Sequence, residues 1–132
     1  MASERTDYDA CKKRVLVIED ELSITSVCRR VLAREGLEVD SAQNGKEAQD
    51  MISQKEYDFF LIDIRTPTMD GKEFYYWLKR ESPLSAVKAV FMTGDAMGGD
   101  TQSFLKETGQ PFLLKPFTTS ELIAFIRKVF AD

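Results

Sequence analysis

Five short apolar runs, each followed by a segment of helical spacing, restrict the folds open to this chain. The runs are RVLVI (14–18), LEVDSA (37–42), DFFLID (58–63), VKAVFMTG (87–94) and PFLLK (111–115). After the first, LSITSVCRRVLAREG sets Ile24, Val27, Cys28, Val31 and Leu32 on one helical face, with Gly36 at the position of a C-cap. NGKEAQDMISQKEY starts at a turn-forming Asn-Gly and continues with Ala48, Met51 and Ile52 at helical spacing. GKEFYYWLKRES stops before Ser82-Pro83, because a residue preceding proline is pushed out of the α region. DTQSFLKETG ends at Gly109, and TTSELIAFIRKVF opens with Thr118 and Glu121 at capping-box spacing. Buried strands that alternate with helices form a parallel sheet covered on both faces, so an α/β fold is expected. In such sheets ligands bind beyond the carboxyl ends of the strands.

With 132 residues, 43% apolar and 30% charged, the chain suits one domain with its own core. We expect a polar tail over 1–13 and one domain over 14–132. No apolar run approaches the ~20 residues of a membrane span. MASERTDYDACKKR has no signal-peptide core, and a cytoplasmic protein is expected. The net charge of −4 argues against nucleic acid as a direct partner. Cys11 and Cys28 do not make a disulfide framework. There is no histidine at all. This excludes a Ser-His-Asp triad, a Cys-His pair and nearly all catalytic zinc sites, and the chain cannot itself carry a phosphohistidine.

The ends of the runs hold the candidate chemistry. The first ends in Glu19-Asp20, the third in Asp63, the fourth in Thr93 and the fifth in Lys115. Taken singly, each has an ordinary reading: a helix cap, a turn residue, a lysine before a proline. Together they belong on one rim of the sheet. Three crowded carboxylates repel unless one is protonated or a cation joins them. Oxygen ligands without histidine or thiolate suit Mg²⁺ or Mn²⁺. A carboxylate can accept a phosphoryl group, and a lysine and a hydroxyl nearby would bind its oxygens.

In the order VLVIEDE, LIDIRTPTMDG, FMTGD and LLKPF, the chain resembles the receiver domain of bacterial two-component response regulators, the CheY-like fold, over about 14–131. The resemblance implies a flavodoxin-like five-stranded parallel sheet of order 2-1-3-4-5. It implies a signalling switch, not an enzyme with a separate substrate: Asp63 takes the phosphoryl group of a sensor histidine kinase or histidine phosphotransfer protein. It further implies Mg²⁺ (or Mn²⁺) held by Asp20 and Asp63, by Glu19 mainly through water, and by the Arg65 backbone carbonyl. Lys115 would pair with the phosphoryl group. Thr93 would be the switch hydroxyl, Phe112 the aromatic that moves with it, and Lys115-Pro116 a cis peptide. Two positions depart from the family's habits: Thr66 precedes Pro67 where many receivers have methionine, and Arg65 is a long cation overlooking Asp63.

Two other readings stay open. Asp63 after a strand is similar to the nucleophile of haloacid-dehalogenase-type phosphatases, but Arg65 stands where that family keeps its second acid. A pseudo-receiver would keep the fold without phosphorylation. GDAMGGD (94–100) lacks the Lys-Ser/Thr of a P-loop and reads as a loop beside the site. On the last helix Leu122, Phe125, Ile126 and Val129 form a core stripe. Ile123 and Phe130 lie off it, either as the core's edge or as a partner face, possible homodimerisation included. The output partner is not specified. The chain reads as a single-domain regulator or as part of a larger protein such as a hybrid kinase.

Overall fold

The computed structural model describes residues 12–95 and 97–130. Residues 1–11 of the expected tail, with Cys11, lie outside the described residues. The strands are β1 (Arg14–Ile18), β2 (Glu38–Ala42), β3 (Phe59–Asp63), β4 (Ala89–Thr93) and β5 (Phe112–Leu114). The helices are α1 (Leu22–Arg34), α2 (Gly45–Ile52), α3 (Gly71–Glu81), α4 (Gly99–Thr108) and α5 (Thr119–Val129). All strands pair in parallel in the order β2-β1-β3-β4-β5, the expected topology.

Side chains alternate across a strand, so each buried strand feeds two cores. Leu16, Ile18, Phe60, Ile62 and Phe91 pack on one face with Phe74, Tyr75, Leu78 and Phe104. Val15, Val17, Leu61, Val90 and Met92 pack on the other with Cys28, Val31, Leu32, Leu122 and Ile126. In the first core Phe91 meets Phe104 edge to face, with centroids 5.1 Å apart, and Tyr75 meets both rings the same way. Each such pair contributes about 0.5–1.5 kcal/mol beyond its buried area. Capping boxes start α3 (Asp70 with Glu73) and α5 (Thr118 with Glu121). Gly36 and Gly109, at φ +90° and +68°, end α1 and α4 in a backbone region that glycine enters without strain.

Three local expectations change. The second helix stops at Ile52 and does not continue to Tyr57, because Lys55 and Tyr57 both bond Asp40 Oδ2 on β2, at 3.0 and 2.7 Å. One helical turn, Pro83–Ala86, follows α3 and delays β4 until Ala89. Finally, β5 is a short edge strand, with Phe112 41% and Leu114 53% exposed, so it is not buried on both faces.

The structure brings α3 hard against the tip of β3. Gly71 donates its N–H to the Ile64 carbonyl at 2.8 Å, and a Cβ there would overlap the Asp63 carbonyl and crowd Ile64 Cα at 2.8 Å. Both obstacles are backbone, which cannot rotate away. We expect Gly71→Ala to destabilise the domain by about 1–3 kcal/mol, the usual cost of overpacking. Urea midpoints of the two proteins check this; equal midpoints would contradict the close approach.

Candidate functional site

The register of the central strands assembles the site. Ile18 pairs with Ile62, so Glu19 emerges beside Asp63 at the C-terminal rim. The chain leaves β1 for β2 on one side and returns to β3 on the other, which opens a crevice between the β1 and β3 tips. Thr93 pairs with Leu114, and the next residue, Lys115, donates its N–H to the Thr93 carbonyl at 2.8 Å. The Lys115–Pro116 peptide bond is cis.

Glu19 and Asp63 are buried, at 1% and 6% exposure, whereas Asp20 is exposed. One carboxylate oxygen from each of the three lies within 4.8 Å of the others. Lys115 Nζ sits 2.8 Å from Glu19 Oε1 and 3.2 Å from Asp63 Oδ2. Asp63 Oδ1 accepts the Arg65 N–H at 3.3 Å, and Glu19 Oε2 accepts the Glu21 N–H at 3.1 Å. Thr93 is 1% exposed, and its Oγ1 accepts the Asp95 N–H at 3.1 Å. Asp20, Asp63, Arg65, Thr93 and Lys115 line a cleft of about 300 Å³ with Glu21, Gly94 and Asp95, and Glu19 lies buried beneath it against Lys115. A cleft of about 350 Å³ lies elsewhere, between α3 and α4, away from this constellation.

One lysine does not balance the acids. Two like charges 4 Å apart repel by about 4 kcal/mol at an effective dielectric of ~20. Burial, reinforced by the charge of Asp63, pushes the Glu19 carboxyl up to about 7 against the opposing pull of Lys115 and the Glu21 N–H. Burial alone would lower the Lys115 pKa, but the bond to Glu19 and the charge of Asp63 outweigh it and raise it. Glu19 Oε1 is fully buried, and its 2.8 Å contact with Lys115 Nζ is an ion pair without hydrogen-bond alignment, so the oxygen keeps a lone pair free of any directed donor. An all-oxygen donor set with a spare buried lone pair fits a hard divalent cation.

The sequence-derived residues Asp20, Asp63, Thr93 and Lys115 therefore meet in one cleft, with Glu19 buried against Lys115. Phe112 lies apart from it, paired with Phe91 and turned outward on β5. Ile123 and Phe130 are half-buried against the second core, and Phe130 stacks on Phe59 with centroids 4.3 Å apart. Phe112 and Leu114 are exposed on the opposite face of β5 from Leu113, which packs with Ile123 and Phe130. Two cleft residues escaped the sequence reading. Glu21 lies 3.9 Å from Lys115 Nζ, and Asp95 bonds the Arg65 guanidinium at 2.7 Å. Their signal was only adjacency to Glu19-Asp20 and to Thr93. Cys28 is a free thiol, pushed up to about 12 mainly by burial, and is inert packing.

Residues 15–127 match the response regulator receiver domain family. The chain belongs to that family. This receiver domain is 28% identical to the polar-differentiation response regulator DivK of Brucella anthropi, over 91% of the chain and 98% of DivK. It is 32% identical to the transcriptional regulatory protein TcrA of Mycobacterium tuberculosis, over 86% of the chain but only 44% of TcrA. Among solved structures it superposes with a TM-score of 0.74 and 27% identity on the response regulator TrrA of Thermotoga maritima, solved with Mg²⁺ and BeF, covering 89% of this chain and 98% of TrrA. Receiver domains are signalling domains. No helix among the described residues is long and apolar enough to cross a membrane.

The raised Glu19 pKa has a signed consequence. Below about pH 4.5 the carboxyl is protonated folded or unfolded, and its contribution to stability is complete. Between 4.5 and about 7 the unfolded chain releases the proton and the folded one keeps it, so stability is lost as pH rises through that window. In EDTA, Glu19→Gln should gain stability relative to the parent protein between pH 5 and pH 8, read from urea midpoints. A difference that stays flat across this range would show that Glu19 titrates normally.

Proposed function

We propose that this receiver domain is a phosphoacceptor switch in which Asp63 takes a phosphoryl group from the phosphohistidine of a sensor histidine kinase or histidine phosphotransfer protein. The observation that carries the reading is the Lys115 ammonium held between the buried carboxylates of Asp63 and Glu19, in an open cleft with a buried hydroxyl, Thr93, on its wall. A carboxylate oxygen of Asp63 attacks phosphorus. A P–O bond forms while the P–N bond to the donor imidazole breaks, and the departing nitrogen keeps the electron pair. Lys115 faces the oxygens on which charge collects, already held by its two acid partners. Asp63, on a strand whose every residue is buried, needs little reorganisation to attack.

Glu19, Asp20 and Asp63, with the Arg65 carbonyl, would hold Mg²⁺ or Mn²⁺. When bound, the cation supplies positive charge against the phosphoryl oxygens. TrrA, solved with Mg²⁺ and BeF, supports this assignment. Thr93 then donates its hydroxyl to a phosphoryl oxygen and leaves its outer side open to the exposed Phe112 ring. On this reading the altered face lies around β5 and α5, including Ile123 and Phe130, and serves a protein partner or a second copy. The domain works in the cytoplasm and catalyses only its own phosphorylation and slow hydrolysis.

Incubation with a small phosphodonor and Mg²⁺ should add one phosphoryl group by intact mass. Asp63→Asn and EDTA should each abolish it. An adduct that persists in Asp63→Asn would remove Asp63 from the role, and steady turnover of a generic phosphate ester would favour a phosphatase instead.

Thr93→Ala should still take up the phosphoryl group but lose most of the response at β5. NMR shift changes around Phe112 on adding beryllofluoride and Mg²⁺ measure this. Equal changes in both proteins would show that the hydroxyl is not the link.

A further inference from the structure

The cleft holds a second cation, Arg65, which is engaged elsewhere. Its guanidinium bonds Asp95 Oδ2 at 2.7 Å, while its own backbone N–H donates to Asp63 Oδ1. Arg65 and Asp95 side chains are 68% and 48% exposed, and both line the cleft above Asp63. Asp95 is tied down twice: by Arg65 and, through its N–H, by Thr93 Oγ1. It also abuts the start of α4. Its carbonyl accepts the Gly98 N–H at 3.2 Å, and a Cβ on Gly98, the α4 N-cap, would overlap the Asp95 carboxylate.

We propose that Arg65 exchanges Asp95 for the phosphoryl group on Asp63, acting as a second phosphoryl-binding cation and releasing Asp95 from the start of α4. The proposal rests on Asp63 being the acceptor. An exposed ion pair is weak and screened by solvent. A phosphoryl group brings close to two negative charges and three acceptor oxygens, which match the guanidinium fork better than one exposed carboxylate does. The tether that the phosphoryl competes for is the Arg65 guanidinium; the Thr93 hydroxyl can donate to the phosphoryl and still accept the Asp95 N–H. The route runs through Arg65, Asp95 and Gly98 to α4, and is separate from the one through Thr93 to Phe112. Before phosphorylation, Asp95 restrains Arg65 and slows its engagement of an incoming anionic donor.

A four-protein cycle tests this: the parent protein, Asp95→Asn, Arg65→Gln and the double variant, each with acetyl phosphate at fixed Mg²⁺ and ionic strength. The rate of adduct formation should rise about two- to fivefold in Asp95→Asn, the factor that an exposed ion pair spans. It should fall in Arg65→Gln, and the double variant should match Arg65→Gln. In NMR with beryllofluoride, the shift change at the Gly98 amide should shrink in Arg65→Gln while those around Phe112 remain. Equal rates in all four proteins, or acceleration by Asp95→Asn that survives in the Arg65→Gln background, would overturn the exchange and leave the acceptor intact. Absence of any adduct on the parent protein would instead overturn the acceptor reading, and the exchange with it.

Discussion

The Lys115 ammonium, pinned between two buried carboxylates, is the contact on which the rest of the site depends. Without it Glu19 and Asp63 would be buried like charges, and desolvation would be uncompensated. With it the cluster persists, but only partly neutralised: a buried Glu19 oxygen lacks a directed partner, and its carboxyl stays hard to ionise. The cleft therefore favours species that add positive charge or join an anion to the lysine. The same imbalance that weakens the metal-free fold prepares the site for ligands.

The sheet makes this imbalance tolerable. Asp63 closes a strand whose five residues are all buried, between β4, buried throughout, and β1, of which only Arg14 is partly exposed. Two packed cores, one on each face of the sheet, fix the strand tips. By contrast, the elements that meet solvent around the cleft are held by a few exposed polar contacts. Arg65 and Asp95 join two loops through one exposed pair, and β5 exposes its alternate apolar side chains at the sheet's edge.

Much of the fold was legible in the residues. Alternation of apolar runs with helical spacing required a parallel sheet, and Thr118, Glu121, Gly36 and Gly109 marked helix ends through local chemistry that the structure repeats. The cluster itself was legible too, because Glu19, Asp20, Asp63, Thr93 and Lys115 each end a strand or come just after one, and parallel strands place their ends on one rim. Less visible were features set by contacts distant in sequence. Asp40 on β2 draws Lys55 and Tyr57 out of a helical pattern, although their spacing alone would extend α2.

What the sequence determined by itself was the set of chemical groups and the rim on which they gather, since strand periodicity and absent histidine follow from local composition. What only the tertiary structure decided was how those groups are paired and how deeply they lie. Phe130 turns inward because Phe59 offers it a ring, and Phe112 stays outward because β5 is the last strand. Arg65 bonds Asp95, thirty residues away, because two loops converge over one cleft. Spacing along a chain encodes faces and periods, but solvent exposure and charge pairing depend on distances that exist only once the strands are side by side.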